Sequence, residues 1–214
     1  MSRVKRVLLD GNAILREVLR RAGYRSALDA VAQHAVFLAP ETVAQTRGQA
    51  VLPVIRNNRN VGRYIDHADG RRLMEDDNHC PTYLMLWAAQ GSRGTGTDAH
   101  FSHVWRRSAD PAAYTALWNI CAVPAFLSKL TDTDQDVTAG LKHRAVDLYG
   151  IAPAALPSRP PGYADVQWQP HPPPVADLEA ALRGRMRDCP QDRLTRCVRE
   201  VGWVFSGFRP DPTV

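Results

Sequence analysis

The stretch AHFSHVWRRS, residues 99 to 108, places two histidines among aromatic and apolar residues and ends in two arginines. Its portion HFSHVW has the length and composition of a β-strand. Asn119 follows sixteen residues after His103 and opens the apolar run ICAVPAFL, which leads into a short helical pattern. This succession predicts an α+β fold with a small β-hairpin-plus-helix core at residues 98–150.

The composition is that of a globular chain. Of 214 residues, 44% are hydrophobic and 23% are charged, which excludes a disordered protein. No apolar run approaches the roughly 20 residues needed to span a bilayer. The N-terminus MSRVKRVLLDGNAIL lacks a small-residue cleavage signature, so we expect a cytoplasmic protein with no membrane partner. The four cysteines form no CxxC pair, which favours free, buried thiols.

Positive charge is concentrated in the N-terminal third of the chain. The net charge is +5, and residues 1–72 hold thirteen basic and six acidic side chains. Such a surface is compatible with a polyanionic partner, because phosphate contacts usually dominate the affinity for nucleic acid. We expect contacts to DNA from an arginine cluster and from the amides of the sequence RNNRN. The cluster comprises Arg56, Arg59, Arg63, Arg71 and Arg72.

The remaining segments are predicted to surround this core. Residues 1–97 are expected to form a mainly helical flank with a basic surface, beginning with a strand at 4–9 and including a β-hairpin at 61–75. Residues 151–175 are proline-rich and predict a linker or a strap along the surface. Residues 176–214 predict a helical C-terminal tail, whose arginines, Arg193 included, resemble a solvated face. Asp76 and Asp77 precede a helix, where acidic residues are favoured without any metal.

The segment HVW…DPAAYTALWNICAVPAFLSKLTD resembles a divergent member of the HNH nucleases, the ββα-metal group. The resemblance covers about 35 of the 214 residues. It implies that His103 is the general base that activates water and that Asn119 orients that base. It also implies one divalent metal ion, Mg²⁺ or Mn²⁺, partly held by a residue of the following helix. Arg106 and Arg107 would then contact phosphates.

The sequence departs from the family pattern at the expected metal ligands. Ser102 precedes the proposed base, where the family often has Asp or His, and Ser128 occupies the helical position. The metal ligands are therefore unassigned, with His100, Ser128 and Asp132 as candidates and Asp134 as a further substitute.

These observations lead to one main functional hypothesis and several alternatives. We expect a metal-dependent endonuclease that hydrolyses phosphodiester bonds in DNA, with a role as a restriction or defence nuclease compatible with the sequence. One alternative is that His103 and Asn119 are ordinary core residues. Another is that the chain is a catalytically degenerate HNH-like protein with a nucleic-acid-binding or regulatory role. A third alternative rests on RVLLDGNAIL, which resembles the first strand of PIN-domain ribonucleases and would make Asp10 a metal ligand. A homodimer is compatible with all of these.

Overall fold

The computed structural model describes residues 10–92 and 98–214, and it confirms the α+β class. The strand predicted at residues 4–9 lies outside the described residues. Eight α-helices occur in the described part of the chain: α1 (Gly11–Arg21), α2 (Ala27–His34), α3 (Pro40–Ala44), α4 (His79–Ala88), α5 (Ala125–Thr133), α6 (Gln135–Tyr149), α7 (Leu178–Asp188) and α8 (Arg193–Val201). The strands described there are β1 (Val54–Arg56), β2 (Tyr64–Asp66), β3 (Arg72–Asp76), β4 (Ala99–His103) and β5 (Ile120–Pro124).

The smaller sheet contains the first half of the segment AHFSHVWRRS as strand β4. Strands β4 and β5 pair in antiparallel fashion, with His103 opposite Ile120 at one end of the ladder. The sixteen-residue connection, residues 104–119, ends in a 3-10 turn, Leu117–Asn119. Helix α5 begins directly after β5, with Pro124 as its N-cap residue. In this segment a strand, a connection, a second strand and a helix therefore follow one another along the chain.

The larger sheet has the strand order β1-β3-β2. Strands β2 and β3 form the predicted hairpin, and its turn includes Gly70 at a positive φ of 82°. Strand β1 runs parallel to β3, so Arg56 is the register partner of Asp76. Because the pair is parallel, the carboxyl ends of both strands meet at one edge of the sheet.

The N-terminal flank combines helices with the predicted hairpin. Its described part contains helices α1 to α4 and a three-stranded sheet, in which β1 lies beside the hairpin strand β3.

The C-terminal helices belong to the same core as the rest of the chain. Helix α4 packs against α7 and α8, and α8 packs against β3. One cluster of buried apolar side chains runs from Leu19 to Val214. The tail is therefore part of the body of the protein.

The proline-rich segment lies along the surface as a strap. Tyr163 is buried, and the Trp168 ring packs edge-on against Phe37. The backbone N–H of Gln169 donates to the carbonyl of Ala32 over 2.8 Å. These contacts distinguish a strap from a free linker.

Two general predictions can be compared directly. All four cysteines are free; Cys80, Cys121 and Cys197 are buried as expected, whereas Cys189 is exposed. Within residues 10–92 and 98–214, no helix is both long and apolar enough to cross a bilayer.

Candidate active site

His103 is the last residue of β4, and its imidazole is held by Tyr114 from the connection that follows. The two rings stack with centroids 5.0 Å apart and an interplanar angle of 15°. Nε2 of His103 lies 2.8 Å from the carbonyl oxygen of Tyr114. A carbonyl can only accept, so Nε2 must carry the proton and Nδ1 of the neutral ring has the free lone pair. No hydrogen bond to Nδ1 is formed within the described residues.

The surroundings of His103 favour its neutral form. Burial lowers the pKa of the imidazole below its usual value, and the positive charge of Arg56 and His100 acts in the same direction. The Tyr114 carbonyl and the negative charge of Asp76 oppose this shift. A neutral imidazole at neutral pH is the state required of a general base.

Asn119 joins the two ends of the connection that begins after His103. Its side chain is buried, and Oδ1 accepts the backbone N–H of Trp105 over 2.8 Å. Nδ2 donates to the carbonyl of Ala113 over 2.9 Å. Ala113 immediately precedes Tyr114, so the Asn119 amide holds the backbone that carries the hydrogen-bond acceptor of His103. Asn119 is thus linked to His103 through the backbone of residues 113 and 114.

A cavity of about 300 Å³ lies against His103. It is lined by Arg56, Asn78, His100, Phe101, Ser102, His103, Arg106, Ser108 and Asp132. A second cavity of about 270 Å³ shares Asn78, His100 and Phe101 with the first, and its wall also includes Asp77 and His79. The two cavities therefore adjoin along one face.

The strained backbone positions of the chain include two on this cavity. Asn78 has a φ of 87° and Arg106 a φ of 52°, both in the left-handed region that non-glycine residues rarely adopt. Oδ1 of Asn78 is also buried without a hydrogen-bond partner in the described structure. Strain and an unsatisfied acceptor are common where a ligand is bound.

The two arginines after β4 have different surroundings. Arg106 lines the cavity, and its Nη2 donates to the carbonyls of Thr131 and Asp132 at the end of α5 and to the Thr138 hydroxyl. Arg107 instead pairs with Asp110 at 2.6 Å and donates to the Pro153 carbonyl on the strap. Only Arg106 is therefore placed to meet a ligand in this cavity.

The basic cluster from the N-terminal flank is also divided. Arg56 reaches the cavity from the end of β1, and Arg59 and Arg63 are exposed on the connection that follows it. Arg71 is paired with Asp69 at 2.7 Å, and the guanidinium of Arg72 lies 5.0 Å from the centre of the Tyr64 ring. The first three residues are thus the ones available to extend a basic surface from the cavity.

The candidate metal ligands are only partly brought together. His100 and Asp132 line the cavity with His103. Ser128 does not line it, and its hydroxyl donates to the carbonyl of Ala125 in its own helix. Asp134 caps the N-terminus of α6 and pairs with Arg16 at 2.9 Å. Ser102 pairs with the hydroxyl of Thr131 at 3.0 Å, so the hydroxyl before the base is also engaged.

A complete metal site is not formed by protein side chains alone. In the part of the chain that the structure describes, no group of three or more His, Cys, Asp or Glu side chains is arranged to hold a metal ion. Mg²⁺ usually needs only one or two carboxylates and completes its shell with water and substrate phosphate. Of the candidate ligands, Asp132 is the carboxylate that lines the cavity. Asp10, the ligand expected of a PIN-like site, accepts the N–H of Ala13 as the N-cap of α1.

Three residues near the site were not identified as functional from the sequence. Asp76 is fully buried and binds Arg193 and the Tyr114 hydroxyl, rather than only favouring a helix N-terminus. Arg193, predicted to lie on a solvated face, is wrongly assigned, because its side chain is 20% exposed and pairs with Asp76 and Asp77. Tyr114 belongs to no sequence motif that would have indicated a role. The acidic pair before α4 was the available signal for Asp76, whereas nothing local indicated its distant partner.

Comparisons with known proteins provide no assignment. No protein-family model matches the chain, no curated protein matches its sequence, and no solved structure matches its fold.

Proposed function

We propose that this protein is a metal-dependent endonuclease that hydrolyses phosphodiester bonds in DNA, with His103 as general base. The observation that carries the proposal is the state of His103. Its ring is held by the Tyr114 carbonyl so that Nδ1 remains a free acceptor beside a cavity lined by arginines. The order of β4, β5 and α5 around that ring supports an HNH-like core.

The proposed reaction uses His103 and the two arginines of the cavity. Nδ1 removes a proton from water, and the resulting hydroxide oxygen bonds to phosphorus while the bond to the leaving oxygen breaks and that oxygen takes up a proton from solvent. Arg56 and Arg106 bind the non-bridging oxygens and offset the charge that develops on them. Arg59 and Arg63 extend the contact along the DNA backbone. Asn119 keeps the Tyr114 carbonyl in place, so the imidazole presents the same nitrogen to water in each turnover.

A divalent ion fits this arrangement as a minimal site. Asp132 and His100 would hold Mg²⁺ or Mn²⁺ together with a substrate phosphate and water, and the ion would supply further charge stabilisation at the phosphate.

The test is cleavage of supercoiled plasmid by the purified protein with Mg²⁺ or Mn²⁺, with and without EDTA. His103→Ala should abolish metal-dependent nicking, whereas His171→Ala, an exposed histidine on the strap, should leave it unchanged. A single-stranded RNA substrate in parallel decides between DNA and RNA. Nicking that persists in His103→Ala, with the variant free of contaminating nuclease, would rule out His103 as the base.

A degenerate, binding-only domain is the second candidate. The observation that favours it is that the hydroxyls of Ser102 and Ser128 are engaged with Thr131 and Ala125, where the family has metal ligands. Such a domain would bind DNA with a steep salt dependence and without any need for metal. Retention of a plasmid fragment that depends on Arg56 and Arg59, in the absence of nicking, would support this candidate.

A further inference from the structure

Asp76 lies at the centre of a buried polar network at the carboxyl end of β3. The side chain has no solvent exposure. Its Oδ2 accepts the Tyr114 hydroxyl at 2.9 Å and the backbone N–H groups of Asn78 and Cys80 at 3.1 and 3.0 Å. Its Oδ1 accepts a hydrogen bond from Nη1 of Arg193 over 2.6 Å. Every contact of this carboxylate is therefore to a group that donates.

Tyr114 connects this network to the proposed base. Its hydroxyl donates to Asp76 and accepts the N–H of Asn78 over 2.7 Å, so the far end of the side chain is fixed by two partners. Its ring stacks on the His103 imidazole, and its carbonyl accepts Nε2–H of the same residue. A displacement of the phenol therefore moves the ring that stacks on His103, in the same residue whose carbonyl accepts Nε2–H.

Arg193 supplies the only cation that contacts Asp76 within the described residues. It is the first residue of α8, and its Nη1 lies 2.6 Å from oxygens of both Asp76 and Asp77. Desolvated carboxylates persist in proteins when they are paired, because an isolated buried charge is very unfavourable. Arg193 is therefore the counter-charge of the carboxylate that accepts the Tyr114 hydroxyl.

We infer that Arg193, Asp76 and Tyr114 form a positioning chain that fixes the tautomer and orientation of His103. The C-terminal region is then part of the active site rather than a covering tail. The inference rests on the proposed function, because it assigns these residues a role in the reaction of His103. None of the three is expected to contact substrate.

The test uses the full-length protein with two variants that break the chain at different links. Tyr114→Phe removes the hydroxyl but leaves the ring on His103 and the Arg193–Asp76 pair intact. Arg193→Gln removes the cation, and Arg193→Lys retains one. Arg196→Gln is the matched control, because Arg196 is exposed on the same helix and the change removes the same charge.

Two readouts are measured for each variant. The first is the kcat and the KM for plasmid nicking, and the second is the tautomer of His103 by long-range ¹H–¹⁵N correlation. In the wild-type protein the neutral ring should be the Nε2–H tautomer. Tyr114→Phe and Arg193→Gln should lower kcat by about 10-fold or more with little change in KM, and the Nδ1–H tautomer should become populated. Arg193→Lys should recover part of the activity, and Arg196→Gln should match wild type.

The outcomes separate this inference from the nuclease proposal. Wild-type kcat and a wild-type tautomer in folded Tyr114→Phe would overturn the positioning chain, whatever the behaviour of Arg193→Gln. If Arg193→Gln fails to fold, Tyr114→Phe decides alone. If the wild-type protein cleaves no nucleic acid, the nuclease proposal fails. The tautomer measurement then still shows whether Tyr114 and Arg193 control the ring.

Discussion

Replacing Asn119 by alanine is expected to destabilise the protein substantially. The substitution removes two buried hydrogen bonds, from the Trp105 N–H at 2.8 Å and to the Ala113 carbonyl at 2.9 Å. Both backbone groups then lack a partner, and each such buried group costs about 1–3 kcal/mol. We expect the free energy of unfolding to fall by about 2–5 kcal/mol, since partial entry of water offsets some of the loss.

Urea denaturation followed by circular dichroism measures this change. The control is Asn60→Ala, which alters an exposed asparagine of the connection between β1 and β2 and should change the free energy of unfolding by less than about 0.5 kcal/mol. Asn119→Asp is the isosteric test, because it keeps an acceptor for Trp105 but places a carboxylate oxygen against the Ala113 carbonyl. It should be at least as destabilising at pH 7 as Asn119→Ala.

The same variants test the proposed orienting role of Asn119. Loss of the Asn119 amide frees the backbone beside Tyr114, so nicking should fall by about 100-fold, even at a temperature at which the variant is folded. An Asn119→Ala protein that loses less than about 1 kcal/mol would refute the structural role assigned to this side chain. Full activity in a folded variant would refute its orienting role.

Three further predictions concern pH, backbone conformation and thiol exposure. The pKa of His103 is lowered in the folded protein, so the unfolded chain binds more protons once the pH falls below about 6.5. The free energy of unfolding should therefore decrease as the pH falls from about 6.5 through the folded-state pKa. Urea titrations between pH 5 and 8 should show this dependence in the wild-type protein and not in His103→Gln. Gly202→Ala should lower the free energy of unfolding by at least about 2 kcal/mol, because φ is +89° and a Cβ would collide with the Arg209 backbone. Gly207→Ala has a similar φ of +65° but open space around the Cβ, so thermal denaturation should show a loss of only about 1 kcal/mol. Of the four cysteines, Cys189 alone should react with Ellman's reagent in the native protein, because the other three are buried; rapid reaction of a second thiol would contradict the packing around Cys80, Cys121 and Cys197.

Local patterns were sufficient for the elements with strong end signals. Helix α6 has Asp134 as its N-cap and Gly150 in the left-handed conformation after its last residue, and both signals are visible in the sequence. The hairpin of β2 and β3 likewise follows from an Asp-Gly turn. Strand β1 could not be predicted with its partner, because parallel pairing to β3 depends on residues about twenty positions away.

The residues of the candidate site that lie close together in the sequence could be predicted, whereas those that come from distant segments could not. His103 and Asn119 lie on either side of one connection, so a single stretch of sequence indicated both. Arg107 and Arg106 are adjacent and chemically identical, yet only Arg106 lines the cavity, because Arg107 is paired with Asp110. Sequence composition cannot separate such neighbours, since the difference lies in which acceptors the fold brings near.

The contact between Arg193 and Asp76 joins residues 117 positions apart in the chain. On the proposed function, this separation has a consequence for the timing of activity during synthesis. A nascent chain that has released His103, Tyr114 and Asn119 from the ribosome still lacks the cation that neutralises Asp76. The base would gain its fixed orientation only once α8 has emerged and docked against β3. A hydrolase of DNA assembled in this way would stay inactive on the ribosome until nearly the whole of the described chain had been made.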